Sequence, residues 1–275
     1  MSDFMHLFDL RDRVAILTGG AGLLGQQYAM ALATAGAHVV VADINGQLAD
    51  QLANKITEET GTKAIGVATD VASKSSVNGL VDQTLTTFDR VDILINNAAL
   101  DPKFDIQSAD QHVNAFEDFP LELWNQSLNV NITGMYLCAQ AVSKPMLNQG
   151  KGVIINVSSI YGLVGPDQRL YKRSDTDIPT YKPVTYSVTK SAVLGLTHYL
   201  ATYWGSKNIR VNTLTPGGVF NNHDEEFVKR YSYRTPLGRM AHKSEYCGAL
   251  LFLASDASSY MTGGNLVVDG GWTAW

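Results

Sequence analysis

The sequence predicts an α/β protein: a Rossmann-like, doubly wound sheet of about seven parallel strands with helices on both faces. Short β-branched runs alternate with longer segments of helical periodicity along the 275 residues. These runs are almost wholly apolar, as expected of strands that are buried on both faces. No repeat or Pro-rich linker divides the chain, so we expect one domain spanning residues 1–275.

The elements follow one another in regular alternation. Strands are predicted at Val14–Thr18, Val39–Asp43, Ala64–Ala68, Ile93–Asn96, Val153–Ser158, Ile209–Thr215 and Asn265–Val268. Helices are predicted at Gly25–Ala35, Gln47–Thr60, Lys74–Phe88, Glu122–Asn148, Val184–Gly205 and Lys243–Ser255. Two stretches, 100–119 and 165–183, fit neither period and follow the carboxyl ends of strands. Because ligands bind at that edge of an open sheet, we expect extended loops around a substrate site, with tolerated surface insertions as the alternative.

Composition argues against several classes of protein. The net charge of −5 disfavours nucleic acid as the main partner, because phosphate binding requires concentrated Lys and Arg. No stretch reaches the roughly 18 uninterrupted apolar residues of a membrane span, so we expect a cytoplasmic protein. Cys138 and Cys247 lack CxxC spacing and are expected to be buried thiols, and the six histidines show no ligand spacing, so no metal site is predicted.

A glycine-rich turn follows the first predicted strand and opens a helix. Gly20-x-Gly22-x-x-Gly25 satisfies the dinucleotide pattern, in which glycines let the backbone approach a pyrophosphate at the helix N-terminus. Asp43 ends the second strand, where a carboxylate accepts hydrogen bonds from adenosine ribose hydroxyls. The alternative is that Asp43 only caps the following helix.

A Tyr and a Lys stand one helical turn apart in Tyr186-x-x-x-Lys190. A neighbouring ammonium favours the phenolate, so we expect Lys190 to lower the pKa of Tyr186. A second copy of the pattern, Tyr203 and Lys207, lies about 25 Å further along the same predicted helix, so only one copy can face the sheet edge. Upstream, a buried strand ends in hydroxyls that could donate to a substrate oxygen.

The motifs together resemble those of the single-domain short-chain dehydrogenases/reductases, and the resemblance covers almost the whole chain. The matching segments are Thr18-Gly19 through Gly25, Asp70-Val71, Asn96-Asn97-Ala98, Val130-Asn131, Ser159-x-x-Gly162, Tyr186-x-x-x-Lys190, Asn212, Pro216-Gly217 and Val268 through Gly271.

The resemblance implies a catalytic tetrad of Asn131, Ser159, Tyr186 and Lys190. In it, Tyr186 exchanges a proton with the substrate oxygen, Ser159 hydrogen-bonds that oxygen, Lys190 binds the nicotinamide ribose and Asn131 supports a proton relay through water. The implied cofactor contacts are Gly19, Gly22, Leu24, Gly25, Asp43, Asp70, Val71, Asn97, Ala98, Tyr186, Lys190, Pro216, Gly217 and Val219.

The chain departs from the family pattern at two places. Leu23 stands where the family's TGxxxGxG has glycine, which could alter one close approach of the backbone to the cofactor. Ser159 and Tyr186 are 27 residues apart, about twice the family's usual separation, and the extra residues belong to the 165–183 stretch, which enlarges the substrate rim.

The leading function is an NAD-dependent oxidoreductase acting on a secondary alcohol or its ketone. Asp43 and the absence of Arg or Lys between Thr18 and His38 favour NAD over NADP. The alternatives are a 3-ketoacyl-type carbonyl reductase, and a non-catalytic NAD-binding module, which would not need the proton-transfer residues.

The substrate and the assembly are predicted from the loops and the carboxyl tail. Four loop cations, together with a resemblance to a subgroup associated with flagellin modification and nonulosonic-acid sugars, suggest a nucleotide-linked sugar or another anionic polyol. These cations are Lys103, Arg169, Lys172 and Arg173. Solvated loop charges paired with nearby Asp residues are the alternative. The tail with Trp272 and Trp275 is expected to be exposed aromatic bulk at a subunit interface, and the family resemblance implies a homotetramer.

Overall fold

Seven parallel strands form one sheet in the order β3-β2-β1-β4-β5-β6-β7, which confirms the predicted fold class. The computed structural model describes residues 4–101, 114–172 and 180–275. The strands are β1 (Val14–Thr18), β2 (His38–Asp43), β3 (Ala64–Ala68), β4 (Ile93–Asn96), β5 (Gly152–Val157), β6 (Ile209–Pro216) and β7 (Asn265–Val268).

Helices cover both faces of this sheet. They are α1 (Leu23–Thr34), α2 (Gly46–Thr60), α3 (Lys74–Phe88), α4 (Leu121–Leu128), α5 (Gly134–Gln149), α6 (Val184–Trp204), α7 (Glu225–Arg234) and α8 (Cys247–Ala254). None of the helices in the described ranges has the length and apolar character needed to cross a membrane.

Alternate side chains of each central strand enter two separate cores. From β1, Ala15 and Leu17 pack with residues of α1, α2 and α8, whereas Val14 and Ile16 pack with residues of α3, α5 and α6. All residues of β1, β4 and β5 are buried. The uninterrupted apolar runs in the sequence are therefore the direct consequence of a sheet covered on both sides.

The strand order reverses between β1 and β4, because the chain runs outward from β1 through β2 to β3 and then crosses back to β4. At such a point the loops that leave two adjacent strands diverge and open a crevice at the carboxyl edge of the sheet. The glycine-rich turn after β1 and the segment after β4 are thereby placed side by side.

The helix predicted as one segment, Glu122–Asn148, is interrupted in the structure. A π-helical turn at Asn129–Thr133 separates α4 from α5. Such turns carry one extra residue and occur frequently at functional sites. Apolar periodicity does not reveal this turn, because the helix resumes on the same core.

Helix α7 was absent from the predicted elements. It buries only Tyr231, so its sequence EEFVKRYSYR carries little apolar periodicity. The residues at its ends are those typical of helix termini. Asp224 caps the N-terminus by accepting from the Phe227 backbone N–H at 2.8 Å, two glutamates occupy the first turn, and Arg234 lies in the last turn.

The two predicted extended loops lie partly outside the described residues. In the second loop, residues Gln168–Tyr171 form a 3-10 turn, which Asp167 caps by accepting from the backbone N–H of Arg169. Lys103 and Arg173, two of the four loop cations, lie outside the described ranges.

Candidate active site

The glycine-rich turn is built by close backbone contacts that exclude side chains. Gly19 has φ +61°, and a Cβ atom there would lie 2.7 Å from the Ala98 Cα atom. A Cβ atom on Gly25 would overlap the carbonyl oxygens of Gly19 and Gly20. Gly22 begins α1 with no side-chain cap, so the first amides of the helix point toward the crevice without a side-chain acceptor.

The end of β4 braces this turn. The Asn97 side-chain amide donates to the carbonyls of Thr18 at 3.1 Å and Gly19 at 3.0 Å. The backbone N–H of Ala98 donates to the Thr18 hydroxyl at 3.1 Å. Asn97 therefore fixes the shape of the turn through its side chain, while its backbone and that of Ala98 line the crevice.

Asp43 does not cap the helix that follows it. Its carboxylate accepts from the backbone N–H groups of Ala21 and Asn45, both at 3.0 Å, and Asn45 is the residue that caps α2. The half-buried carboxylate thus lies at the end of β2, tied to the glycine-rich turn. This is the position in which a carboxylate can meet the ribose of a dinucleotide.

We predict that Gly25→Ala is destabilising and that Gly79→Ala is not. A methyl group at Gly25 meets fixed backbone, so the free energy of unfolding should fall by about 1–3 kcal/mol and cofactor affinity should fall with it. Gly79 is exposed in α3 with nothing near its Cβ position among the described residues, so alanine there should add about 0.5–1 kcal/mol. Urea unfolding and calorimetric cofactor titration measure both effects; equal unfolding energies in the two variants would contradict the close-contact argument.

The other predicted cofactor residues are distributed along the same carboxyl edge. Asp70 and Val71 follow β3, and the Asp70 carboxylate accepts from the Ala72 backbone N–H at 2.9 Å. Pro216 ends β6, and a Cβ atom on Gly217 would lie 2.8 Å from the Asp269 Cα atom. The other two, Leu24 and Val219, are partly buried against the core on the α1 side of the sheet.

The two serines after β5 have different surroundings. Ser158 is buried and donates to the backbone carbonyl of Lys190 at 2.7 Å. Ser159 accepts from the Tyr161 backbone N–H at 3.3 Å, and its side chain lies close enough to Tyr186 to act on the pKa of that phenol. Ser159 is therefore the serine at the tyrosine hydroxyl, while Ser158 anchors α6.

Gly162 explains physically why a glycine stands three residues after Ser159. A Cβ atom on Gly162 would lie 2.5 Å from the Lys190 carbonyl oxygen and 2.7 Å from the Ser158 hydroxyl oxygen. Only a glycine lets the turn after β5 pack this closely on α6. The close packing brings Ser159 and Tyr186 together although 27 residues separate them.

Lys190 is a buried ammonium group on α6. Its Nζ atom donates to the Val157 carbonyl at 2.8 Å, at the end of β5. Burial lowers the pKa of Lys190 to about 8; the nearby Asp101 carboxylate opposes this effect, and the Lys182 charge adds to it. A buried ammonium with three donors and a single protein acceptor among the described residues is suited to bind further hydroxyl oxygens.

The expected lowering of the Tyr186 pKa is wrong for this structure. Burial, followed by the charge of Asp101, raises the pKa of Tyr186 above its usual value, while the Ser159 side chain opposes this shift. The Lys190 Nζ atom lies 5.9 Å from the centre of the Tyr186 ring and is directed to Val157. The spacing in the sequence predicted that Lys190 is near Tyr186. It did not indicate the free-energy cost of removing the phenolate from water.

Asn131 lies buried in the π-helical turn and clamps the segment after β4. Its side chain accepts from the Leu100 N–H at 2.7 Å and donates to the Leu100 carbonyl at 3.0 Å and to the Thr189 hydroxyl at 3.0 Å. These contacts join the π turn, the substrate-side segment and α6. A role in a proton relay remains a prediction, whereas the clamp is directly observed.

Residue spacing did not predict the ion pair next to Tyr186. The Lys182 Nζ atom lies 2.6 Å from the Asp101 Oδ2 atom and 3.9 Å from the centre of the Tyr186 ring. A usable signal was the position of Lys182 just before the predicted helix, four residues ahead of the tyrosine. Asp101 carried no such signal, because its proximity depends on how the segment after β4 folds.

An aromatic cluster lies beside the site and corrects the prediction for the carboxyl tail. Trp272 is only 2% exposed, and its ring stacks on Tyr231 at 4.2 Å between centroids. The Arg234 guanidinium lies 5.0 Å from the centre of the Trp272 ring. Of the two tail tryptophans, only Trp275 is exposed, because the turn before Trp272 folds the chain back onto α7.

These residues fit a nicotinamide dinucleotide. Four features lie along one edge of the sheet: the glycine-rich turn, the uncapped amides at Gly22, the Asp43 carboxylate and the Lys190 ammonium. The fold and the site together define the class: an α/β protein built to bind a dinucleotide, with a tyrosine, a buried serine and a buried lysine grouped beside the binding edge.

Comparison with known proteins identifies the family. Residues 20–273 match a family profile described as enoyl-(acyl carrier protein) reductase. The chain is 34% identical over 271 residues to D-threitol dehydrogenase of Mycolicibacterium smegmatis, covering 97% of this chain and 95% of the relative. It is 36% identical over 262 residues to 3-alpha-(or 20-beta)-hydroxysteroid dehydrogenase of Mycobacterium tuberculosis, covering 95% and 90%.

A solved relative has the same architecture. The crystal structure of a gluconate 5-dehydrogenase from Burkholderia cenocepacia, in complex with NADP and tartrate, superposes with a TM-score of 0.85 at 31% identity and covers 99% of this chain and 100% of that one. The chain belongs to the short-chain dehydrogenase/reductase family, and the protein is an oxidoreductase of alcohols and ketones.

Proposed function

We propose that the protein catalyses NAD-linked oxidation of a secondary hydroxyl group, or reduction of the corresponding ketone, on a polyhydroxylated small molecule. The observation that carries the proposal is the grouping of Ser159, Tyr186 and Lys190 beside the glycine-rich turn. This grouping offers a hydrogen-bond donor, a proton carrier and a buried cation around one reacting oxygen.

In the oxidation direction, the substrate hydroxyl gives its proton to the Tyr186 phenolate while Ser159 hydrogen-bonds the same oxygen. The C–H electron pair leaves with its hydrogen as hydride, and the carbon becomes a carbonyl. A bound nicotinamide supplies the hydride acceptor. Lys190 would bind the nicotinamide ribose and hold positive charge near the phenolate, and Asn131 would keep the Leu100 backbone against α6.

The remaining cofactor contacts are proposed from their position on the carboxyl edge of the sheet. The pyrophosphate would lie at Gly19, Gly22, Leu24 and Gly25, with backbone groups as donors. The adenosine would contact Asp43, Asp70 and Val71. The nicotinamide end would contact Asn97, Ala98, Pro216, Gly217 and Val219.

A polyhydroxylated substrate is favoured by the polar pocket and by the relatives. The Asp101 carboxylate and Lys182 ammonium lie beside Tyr186, where they can hydrogen-bond hydroxyl groups next to the reacting one. Two of the three relatives described above are named for threitol and gluconate, both of which carry several adjacent hydroxyls.

The anionic nucleotide-linked sugar, and with it the flagellin-modification and nonulosonic-acid subgroup, is a second hypothesis. Arg169, one of its proposed anion-binding cations, forms two hydrogen bonds with the Asp167 carboxylate and is 83% exposed. Asp167 also pairs with Arg234 at 2.6 Å. Because the described arginines of this rim already have a carboxylate partner, we favour a neutral polyol.

A substrate screen that follows NADH absorbance tests the proposed function. Threitol and xylitol should be oxidised with a higher kcat/KM than simple alcohols, a hydroxysteroid or a 3-hydroxyacyl thioester. Efficient turnover of the acyl thioester alone would instead establish the 3-ketoacyl alternative. Cofactor binding without turnover of any substrate would favour the non-catalytic module.

We predict a preference for NAD over NADP of about 100-fold or more in kcat/KM, because like charges brought together cost several kcal/mol. The Asp43 carboxylate lies at the end of β2, next to the glycine-rich turn, and would repel the 2′-phosphate of a bound NADP. Asp43→Asn should reduce the ratio by at least about tenfold, whereas Asp82→Asn, at an exposed position of α3, should leave it unchanged. Parity of the two cofactors in the unmodified protein would contradict the prediction.

We also propose that the single domain assembles as a homotetramer in the cytoplasm. Large aromatic side chains remain exposed on the outer surfaces of α5 and α6, namely Tyr136, Tyr199 and Tyr203, and β7 forms an edge of the sheet. Light scattering coupled to size-exclusion chromatography measures the state. A mass near 29.9 kDa at micromolar concentration would exclude the tetramer.

A further inference from the structure

The second lysine at the tyrosine is closer to the ring than the lysine of the Tyr-x-x-x-Lys motif. The Lys182 Nζ atom lies 3.9 Å from the centre of the Tyr186 ring, against 5.9 Å for the Lys190 Nζ atom. The Lys182 side chain is only 14% exposed, so water screens its charge weakly. No part of the short-chain dehydrogenase motif set accounts for this residue.

The backbone of Lys182 is fixed from two sides. Its N–H donates to the Gln168 side-chain oxygen at 2.9 Å, which ties it to the 3-10 turn after Asp167. The next residue is Pro183, the N-cap of α6, and a proline restricts the residue before it to extended conformations. The ammonium is therefore held over the ring by local structure rather than by the ion pair alone.

Asp101 holds the same ammonium from the opposite loop. Its Oδ2 atom pairs with Lys182, while its Oδ1 atom is buried and has no hydrogen-bond partner among the described residues. Asp101 directly follows the segment that Asn131 clamps at Leu100. The pair thus spans the crevice and joins the chain after β4 to the chain before α6.

The groups that face Tyr186 come from every described element packed around it. Lys190 comes from α6, Ser159 and Tyr161 from the turn after β5, Tyr171 from the 3-10 turn, and the pair from the two loops. The Tyr161 ring meets the Tyr186 ring edge-on at 6.5 Å, and the Tyr161 hydroxyl accepts a hydrogen bond from the Tyr171 hydroxyl at 3.0 Å. The titratable and charged groups in this set are Asp101, Tyr161, Tyr171, Lys182 and Lys190.

Within this set, Lys182 and Asp101 carry opposite charges, and each charge can be removed by a single substitution. A cation over the ring face stabilises the phenolate more than the phenol, and a carboxylate at the same place does the reverse. We propose that Lys182 and Asp101 are positioning residues that set the acidity of the Tyr186 hydroxyl with opposite signs. The proposal rests on the proposed role of Tyr186 as the proton carrier.

The test places 3,5-difluorotyrosine, whose phenol is intrinsically more acidic, at position 186 of the full chain and follows its ¹⁹F resonance against pH. Lys182→Met should raise the midpoint of ionisation by about one pH unit, because the Asp101 carboxylate then disfavours the phenolate and only the Lys190 ammonium favours it. Asp101→Asn should lower it by about one pH unit, because two cations remain. The double variant should return the midpoint toward that of the parent.

Two controls separate charge from structure. Lys182→Arg keeps the cation and should keep the parent midpoint, and Lys207→Met removes an exposed lysine beyond the end of α6 and should have no effect. Breaking a purely structural ion pair would move the midpoint in the same direction in Lys182→Met and Asp101→Asn. That result, or an unchanged midpoint in both variants, would overturn the proposal.

The same variants in unlabelled protein give a kinetic counterpart. The acidic limb of the pH profile of kcat/KM for oxidation should move up in Lys182→Met and down in Asp101→Asn. Because the fluorine titration needs neither substrate nor turnover, it decides the proposal even when no polyol is oxidised. A failure of the proposed function would appear in the substrate assay, whereas a failure of this inference would appear in the fluorine titration.

Discussion

Replacing Tyr186 with Phe should lower kcat by about 10³-fold or more while cofactor affinity changes little. The substitution removes only the hydroxyl beside Ser159, and positioned proton transfer contributes about 10²–10⁴-fold to such reactions. The aromatic ring, with its edge contact to Tyr161, is kept. Steady-state kinetics on the best substrate of the screen, together with calorimetric cofactor titration, measure both quantities.

The chain supplies a matched control for this variant. Tyr203 belongs to the second Tyr-x-x-x-Lys copy, but its side chain is 63% exposed and stacks on Tyr199, far along α6 from the crevice. Tyr203→Phe should therefore retain the parent kcat. A Tyr186→Phe enzyme with a tenth of the parent rate, or a larger loss in Tyr203→Phe, would remove Tyr186 from its proposed role.

Replacing Lys190 with Met should abolish turnover and yet raise the melting temperature at pH 7. Burial lowers the pKa of Lys190 to about 8 from its usual value near 10.5, which corresponds to about 3 kcal/mol against the charged form in the folded protein. Met removes this penalty but loses the bond to the Val157 carbonyl, worth about 1–3 kcal/mol. A net gain of about 1 kcal/mol corresponds to a rise of about 2–4 °C.

The pH dependence of this stability difference has a definite sign. Below pH 8 the lysine is charged in both states, so the full penalty is present in the folded protein. Between pH 8 and 10.5 the folded protein releases the proton while the unfolded chain keeps it, so the stability of the parent rises relative to Lys190→Met. Above pH 10.5 the lysine is neutral in both states.

Melting curves of the parent and of Lys190→Met, measured from pH 6 to 10.5 without cofactor, check this dependence. The advantage of the variant should shrink across the upper part of the range. A variant that is less stable at pH 7 and remains so at every pH would show that Lys190 is mainly a structural anchor. Lys207→Met, at an exposed site, should show no such trend.

The central strands and helices were predictable because each has an apolar pattern that can be recognised within its own segment of sequence. β1, β3, β4 and β7 begin and end at the predicted residues, and α1, α2, α3, α4 and α6 start within two residues of their predicted positions. Helix α8 begins at Cys247, four residues after the predicted Lys243, because a 3-10 turn occupies Lys243–Tyr246. A doubly covered parallel sheet demands apolar strands, and that demand is visible in a single sequence. Helix α7 and the π-helical turn escaped because neither changes the apolar period enough to be detected.

The predicted site residues lie at the same edge of the sheet, but several of their contacts were not predicted. Asp43 is tied to the glycine-rich turn rather than to the helix it precedes, and Ser158 is occupied by the α6 backbone. The pKa of Tyr186 moves upward because burial, followed by the charge of Asp101, disfavours the phenolate. Each of these outcomes depends on distances and solvent access, which residue spacing does not contain.

The sequence by itself determined the sheet, the glycine-rich turn and the spacing that places Tyr186 and Lys190 one helical turn apart. These features follow from local patterns, in which neighbours along the chain are neighbours in space. Only the tertiary structure decided that Lys182 and Asp101 meet over the Tyr186 ring, 81 residues apart in the chain, and that Trp272 is buried against α7. The physical reason is that long-range contacts and desolvation depend on how distant loops fold over the crevice, and no period in the sequence encodes that.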